Sequence, residues 1–130
     1  MFIEIKNFVF NIDEVTHCLL TKHSFRVFLK QYKSDTADGS IKIENCENLY
    51  DKICEIFVKN GFVKITERER VWLINKRLIN YFEMNNGFYR FFLGKELPPL
   101  IIMSNNNELE VECIKNLCFE NRTIVEWKRR

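Results

Sequence analysis

A chain of 130 residues, 46% apolar, 14% aromatic and 29% charged, has the makings of one ordinary domain, or of two very small ones sharing a core, and excludes a disordered tail. Its formal charge of +2 is evenly spread, with nine basic and nine acidic side chains in residues 1–65 and eleven and nine in residues 66–130, which argues against a polarised phosphate-gripping face. No apolar run approaches the roughly 18 residues of a membrane span, and Glu4 and Lys6 interrupt the start where a signal peptide needs apolar residues, so a cytoplasmic protein is expected.

Phe2-Ile3-Glu4-Ile5-Lys6 alternates with period two, the pattern of a half-buried strand. A short strand follows at Phe8 to Phe10, then a turn at Asn11-Ile12-Asp13-Glu14, where Asn and Asp bond their own backbone. Strands at Val15 to Leu20 and Phe25 to Tyr32 are joined by Thr21-Lys22-His23-Ser24, and Ser34 to Gly39 has loop chemistry before a strand at Ile41-Lys42-Ile43. A helix then places Leu49, Ile53 and Phe57 on a dry stripe and Glu47, Asp51 and Glu55 on a wet one, and stops at Asn60-Gly61.

The same series begins again. Phe62 to Thr66 repeats the first strand 60 positions on, and Trp72 to Leu93 lies without a gap on Phe8 to Leu29 at an offset of 64, so that Asn75 meets Asn11 and Tyr89-Arg90-Phe91-Phe92-Leu93 meets Phe25 to Leu29. The second hairpin turns at Asn85-Asn86-Gly87, where Asn-Gly tolerates positive φ. Leu100 to Met103 and a helix carrying Leu109, Cys113 and Leu117 return to an offset of 60, with Asn105 and Glu108 spaced as a capping box. The reading is an α+β fold of two tandem ββββα repeats with mainly antiparallel sheets: residues 1–61, residues 62–120, and a tail at 121–130 in which Arg122 to Trp127 forms a closing strand ahead of basic residues. Modules of about 60 residues bury too little surface alone, so the whole is expected to be one compact unit.

Chemistry is thinly signposted. Five cysteines, Cys18, Cys46, Cys54, Cys113 and Cys118, lack CxxC spacing and read as reduced thiols filling apolar positions. His17 and His23 are the only histidines and align with Tyr81 and Gly87, not with ligands, so neither metal nor cofactor is expected. No GxGxxG, GxxxxGK[ST], GxSxG or HExxH occurs, and the expectation is a protein that is not an enzyme. Arg68, Arg70, Lys76 and Arg77 with Trp72, and the Lys128-Arg129-Arg130 tail, are the nucleic-acid candidates, because arginine interleaved with aromatics suits stacking and backbone contact. Glu67 and Glu69 alternate with the first two, which weighs against that alternative.

Phe8-Val9-Phe10-Asn11-Ile12-Asp13-Glu14-Val15, set in the series strand, short strand, hairpin, strand, helix, resembles the small flagellar FlbD-type proteins, once over Phe2 to Phe57 and again over Phe62 to Leu117. The resemblance implies a tandem duplication of a non-enzymatic cytoplasmic module that binds a partner. The Asn-Gly turn of that family is present here only in the second copy. The expected function is thus protein-protein interaction by a small accessory, inhibitory or assembly protein. Its partner is another protein, with a homodimer and nucleic acid as further candidates and no membrane. Trp72, Tyr81, Tyr89 and Arg90 are the expected partner-binding residues. A single alanine beside abundant Asn, Lys, Ile and Phe suits an A+T-rich genome, that of a low-GC bacterium or its phage.

Overall fold

The computed structural model describes residues 1–30, 39–94, 97–104 and 108–125. The first half contains β1 (Phe2–Ile5), β2 (Phe8–Asn11), a 3-10 turn, β3 (Val15–Leu20), β4 (Ser24–Leu29), β5 (Ile41–Glu44) and α1 (Tyr50–Lys59). The second contains β6 (Phe62–Glu67), β7 (Arg70–Asn75), a 3-10 turn, β8 (Tyr81–Asn85), β9 (Phe88–Phe92), β10 (Leu100–Met103) and α2 (Glu108–Cys118). The class is α+β, with antiparallel pairing throughout the described ladders. Each helix follows five strands, the number read along the chain and one more than the expected ββββα unit names.

The halves share a sheet. Its order is β5-β4-β3-β7-β6, so a strand of the second half adds to the edge of the first; β10-β9-β8 and β1-β2 form two smaller sheets. Hairpin β6–β7 is apolar on both faces. Alternation sends Phe62 and Leu73 into a core with Cys18, Phe25 and Phe57, and Val63, Ile65, Trp72 and Ile74 into a second core with Tyr89, Phe91, Ile102 and Ile114. A two-residue turn reverses each opening hairpin, with Lys6 (φ 54°) and Arg68 (φ 53°) in the left-handed region.

Two buried polar side chains stitch this arrangement. Asn75 accepts from the Arg77 backbone N–H at 3.2 Å, forming its 3-10 turn, while its Nδ2 donates 2.9 Å across to the Val15 carbonyl. Glu67 accepts from Trp72 Nε1 at 3.4 Å and from the Met103 backbone N–H, tying β6 to the end of β10.

Two expectations are corrected. The dry side of α2 is not Leu109, Cys113 and Leu117, which are exposed, but Ile114 and Cys118 with Val111 packed beside them. The helix carries two overlapping apolar stripes, and the one that faces β6 and β10 is set one position on. The tail is not a closing strand over its described part: Arg122 turns back, its Nη1 donating to the Lys115 and Phe119 carbonyls at 3.2 and 3.1 Å, and residues 123–125 have no ladder partner. β-Branched propensity is a preference for a half-buried pleated surface, and Ile124 and Val125 are exposed here. Trp127, Asn105 of the capping box and residues 31–32 of the fourth strand lie outside the described residues.

Candidate interaction site

Hairpin β1–β2 turns Ile3, Ile5 and Phe10 into the first core, and by alternation turns Phe2 and Val9 out. Phe2 is 71% exposed and Val9 59%. The two lie diagonally on this face, with Asn11 opposite Phe2 and Glu4 opposite Val9. Among the described residues β2 pairs only with β1, so its second edge offers unpaired backbone donors and acceptors.

A second free edge is that of β8, which pairs among the described residues only with β9. On its inner side the half-buried Phe82 meets Phe91, Phe119 and Tyr89 at centroid distances of 4.9, 5.3 and 5.9 Å. On its outer side Glu83 accepts from Tyr81 Oη at 3.0 Å and from Asn85 Nδ2 at 2.7 Å, and pairs with Arg90 at 3.3 Å. The hydrogen bonds from Asn85 and Tyr81 hold the Glu83 carboxyl below its ordinary range, and the bond to Glu83 pushes the Tyr81 phenol up. Tyr81 and Met84 are exposed, so this edge is apolar at both ends and polar on its outer centre.

The sequence-based candidates divide. Tyr81 is open, and Arg90 is half-buried, its guanidinium 5.4 Å over the Phe88 ring. Trp72 and Tyr89 are core residues, Tyr89 being 1% exposed, so neither ring can anchor a partner from the surface. Both fall on inward positions of strands whose two faces are apolar, which alternation alone does not resolve. Phe2 and Val9, which sequence reasoning passed over, are open instead, and the half-buried Phe82 and Phe119 pack against the second core. The available signal was that Phe2 and Val9 line up with Phe62 and Leu73, two residues that need a neighbour to cover them.

The basic candidates do not converge. Arg68 and Arg70 stand at one end of β7 and Lys76 and Arg77 just past the other, a separation of about 20 Å along a strand. Arg70 pairs with Glu67 at 3.4 Å and Arg77 with Asp13 at 3.4 Å, so two of the four charges are matched locally. Residues 128–130 lie outside the described residues.

A cavity of about 250 Å³ opens beside His17, between β3–β4 and the segment Leu97 to Leu100. The imidazole stacks on Phe28 at 4.1 Å, and Thr16 Oγ1, 2.9 Å from its Nδ1, donates to the Phe28 carbonyl. This is a packed, satisfied histidine. No group of three His, Cys, Asp or Glu side chains with the geometry to hold a metal occurs among the described residues. Among them no helix is long and apolar enough to cross a membrane.

The chain matches no protein-family model, no curated protein and no solved structure in the comparisons made with each.

Proposed function

We propose that this is a protein-binding accessory module, built by tandem duplication, that engages its partner through the outer face of hairpin β1–β2 and the edge of β8. The duplication reading is supported by the way its offsets become intelligible. β6 and β7 are each two residues longer than β1 and β2, while Phe2↔Asn11 and Phe62↔Asn75 close both ladders, so the offset moves from 60 to 64 across one lengthened hairpin. Asn11 and Asn75 accept from the backbone N–H two residues on, at 3.0 and 3.2 Å. The groove between β1 and α1, with Leu49, Lys52, Ile53 and Ile56, corresponds to that between β6 and α2, with Glu110, Cys113, Ile114 and Leu117.

The observation that carries the binding reading is the exposure of Phe2 and Val9 when their counterparts, Phe62 at 3% and Leu73 at 0%, are covered. Strand addition at such an edge supplies backbone hydrogen bonds, and alternate side chains supply selectivity. The test is capture by tagged protein from a low-GC bacterial lysate, with and without nuclease. Wild type retains a defined protein after nuclease treatment, Phe2→Asp with Val9→Asp loses it, and retention changes little between about 50 and 300 mM salt. Capture that nuclease or salt abolishes, or that the double variant leaves untouched, contradicts the reading.

A further inference from the structure

Resting on that reading, we propose that the partner is a second copy of this chain, joined head to tail: β2 of one copy adds antiparallel to β8 of the next. The template lies within the molecule. β7 pairs with β3 in the register His17↔Ile74, Cys18↔Leu73, Leu19↔Trp72, Leu20↔Val71, while Phe62 of the same hairpin sets its ring edge-on to Phe57 of α1 at 4.8 Å. Moved by 64 positions, that register reads Tyr81↔Phe10, Phe82↔Val9 and Glu83↔Phe8, and its fourth pair would fall on Asn7, in the turn of the shorter first hairpin. Both strands have a free edge among the described residues.

The seat corresponds as well. Burial along the two helices matches at an offset of 61, Ile53 with Ile114 and Phe57 with Cys118. The hairpin that covers Phe57 comes directly after α1, whereas no strand comes after α2 in residues 122–125. Cys118 is smaller than Phe57, and the neighbouring half-buried Phe119, packed on Phe82, supplies the ring that Phe2 of an incoming hairpin would meet.

A hairpin folded against its own β8 would bury Phe2 and Val9 as Phe62 and Leu73 are buried, and in this structure they are open. Donor and acceptor are different surfaces, so the contact is heterologous, and successive copies form a ring or a filament according to whether the rotation closes.

Two variants test this, both confined to exposed positions. Phe2→Asp with Val9→Asp blocks the donor, and Tyr81→Lys with Met84→Lys blocks the acceptor, since charge on an edge opposes strand addition. Sedimentation velocity over micromolar to submillimolar concentrations is the readout, with circular dichroism confirming that each variant is folded. Wild type grows in mass with concentration, each variant alone associates at least about tenfold more weakly, and an equimolar mixture of the two forms a 1:1 complex and nothing larger. That complementation is the signature of a head-to-tail contact. Wild type that stays monomeric throughout, blocked variants that associate like wild type, or a mixture that remains monomeric would each overturn the proposal. If wild type is monomeric while Phe2→Asp with Val9→Asp still abolishes lysate capture, the self-association fails and the protein-binding reading stands. If capture too is unchanged, both fall.

Discussion

Hairpins β1–β2 and β6–β7 have the same turn, the same inward alternation and the same Asn at the end, yet one is covered on both faces and the other on one. The difference lies in the segments that flank each hairpin along the chain. β6–β7 emerges from α1 directly onto the open edge of β3, so Phe62 and Leu73 are sealed against Phe57 and Cys18. β2 pairs among the described residues only with β1, and Phe2 and Val9 remain in water.

Substitution within the two hairpins should expose this difference most sharply. Phe62→Ala is expected to destabilise by about 3–5 kcal/mol, the range for emptying a buried aromatic site. Phe2→Ala at the corresponding position should change stability by no more than about 0.5 kcal/mol in dilute solution. Urea denaturation measures both, and equal losses would mean that the first hairpin is also covered.

The two asparagines should differ next. Asn75→Ala removes a buried donor from the Val15 carbonyl as well as the acceptor of its turn, for a loss of about 1–3 kcal/mol. Asn11, whose Oδ1 serves its turn and the N-terminal ammonium at the surface, should lose about 0.5–1 kcal/mol on the same change. Asn75→Ala costing no more than Asn11→Ala would break the assignment of the cross-half bond.

The smallest contrast is chemical. Burial pushes the thiol of Cys18, under hairpin β6–β7, well above its ordinary value, and that of Cys118, at the end of α2, up to about 11. Both folded values exceed the unfolded one, so their contribution to stability is complete below pH about 9 and is lost as pH rises through the folded values. Alkylation followed by mass spectrometry should label exposed Cys113 first, Cys118 next and Cys18 last. Cys18 labelling as fast as Cys118 would contradict the difference in cover.

Much of this was legible in the residues. Val15 to Leu20 and the Asn86-Gly87 turn are dictated by alternation and by Gly87 needing positive φ, observed at 87°. The α1 stop was set by Asn60-Gly61, with Gly61 at φ 88°. What alternation could not give was which of two apolar faces is covered, and so Trp72 and Tyr89 read as surface anchors although both are core. The α2 register failed for a related reason: Leu109-Cys113-Leu117 and Val111-Ile114-Cys118 are both plausible stripes, and only packing against β6 and β10 chooses. The β3–β7 pairing joins residues more than 50 positions apart and leaves no local trace, so the free edges of β2 and β8 became visible only in three dimensions.

Hydrogen–deuterium exchange read amide by amide on dilute protein tests the unequal cover of the two hairpins most directly. Val71 to Ile74 of β7 are paired on both sides, by β6 and β3, so the amides of this stretch should exchange only with global unfolding. β2 is paired on one side, so alternate amides from Phe8 to Asn11 should exchange rapidly in the monomer and slow as concentration rises. Uniform protection along β2 at the lowest concentration would contradict this, because it would mean that the first hairpin already has a seat within its own chain.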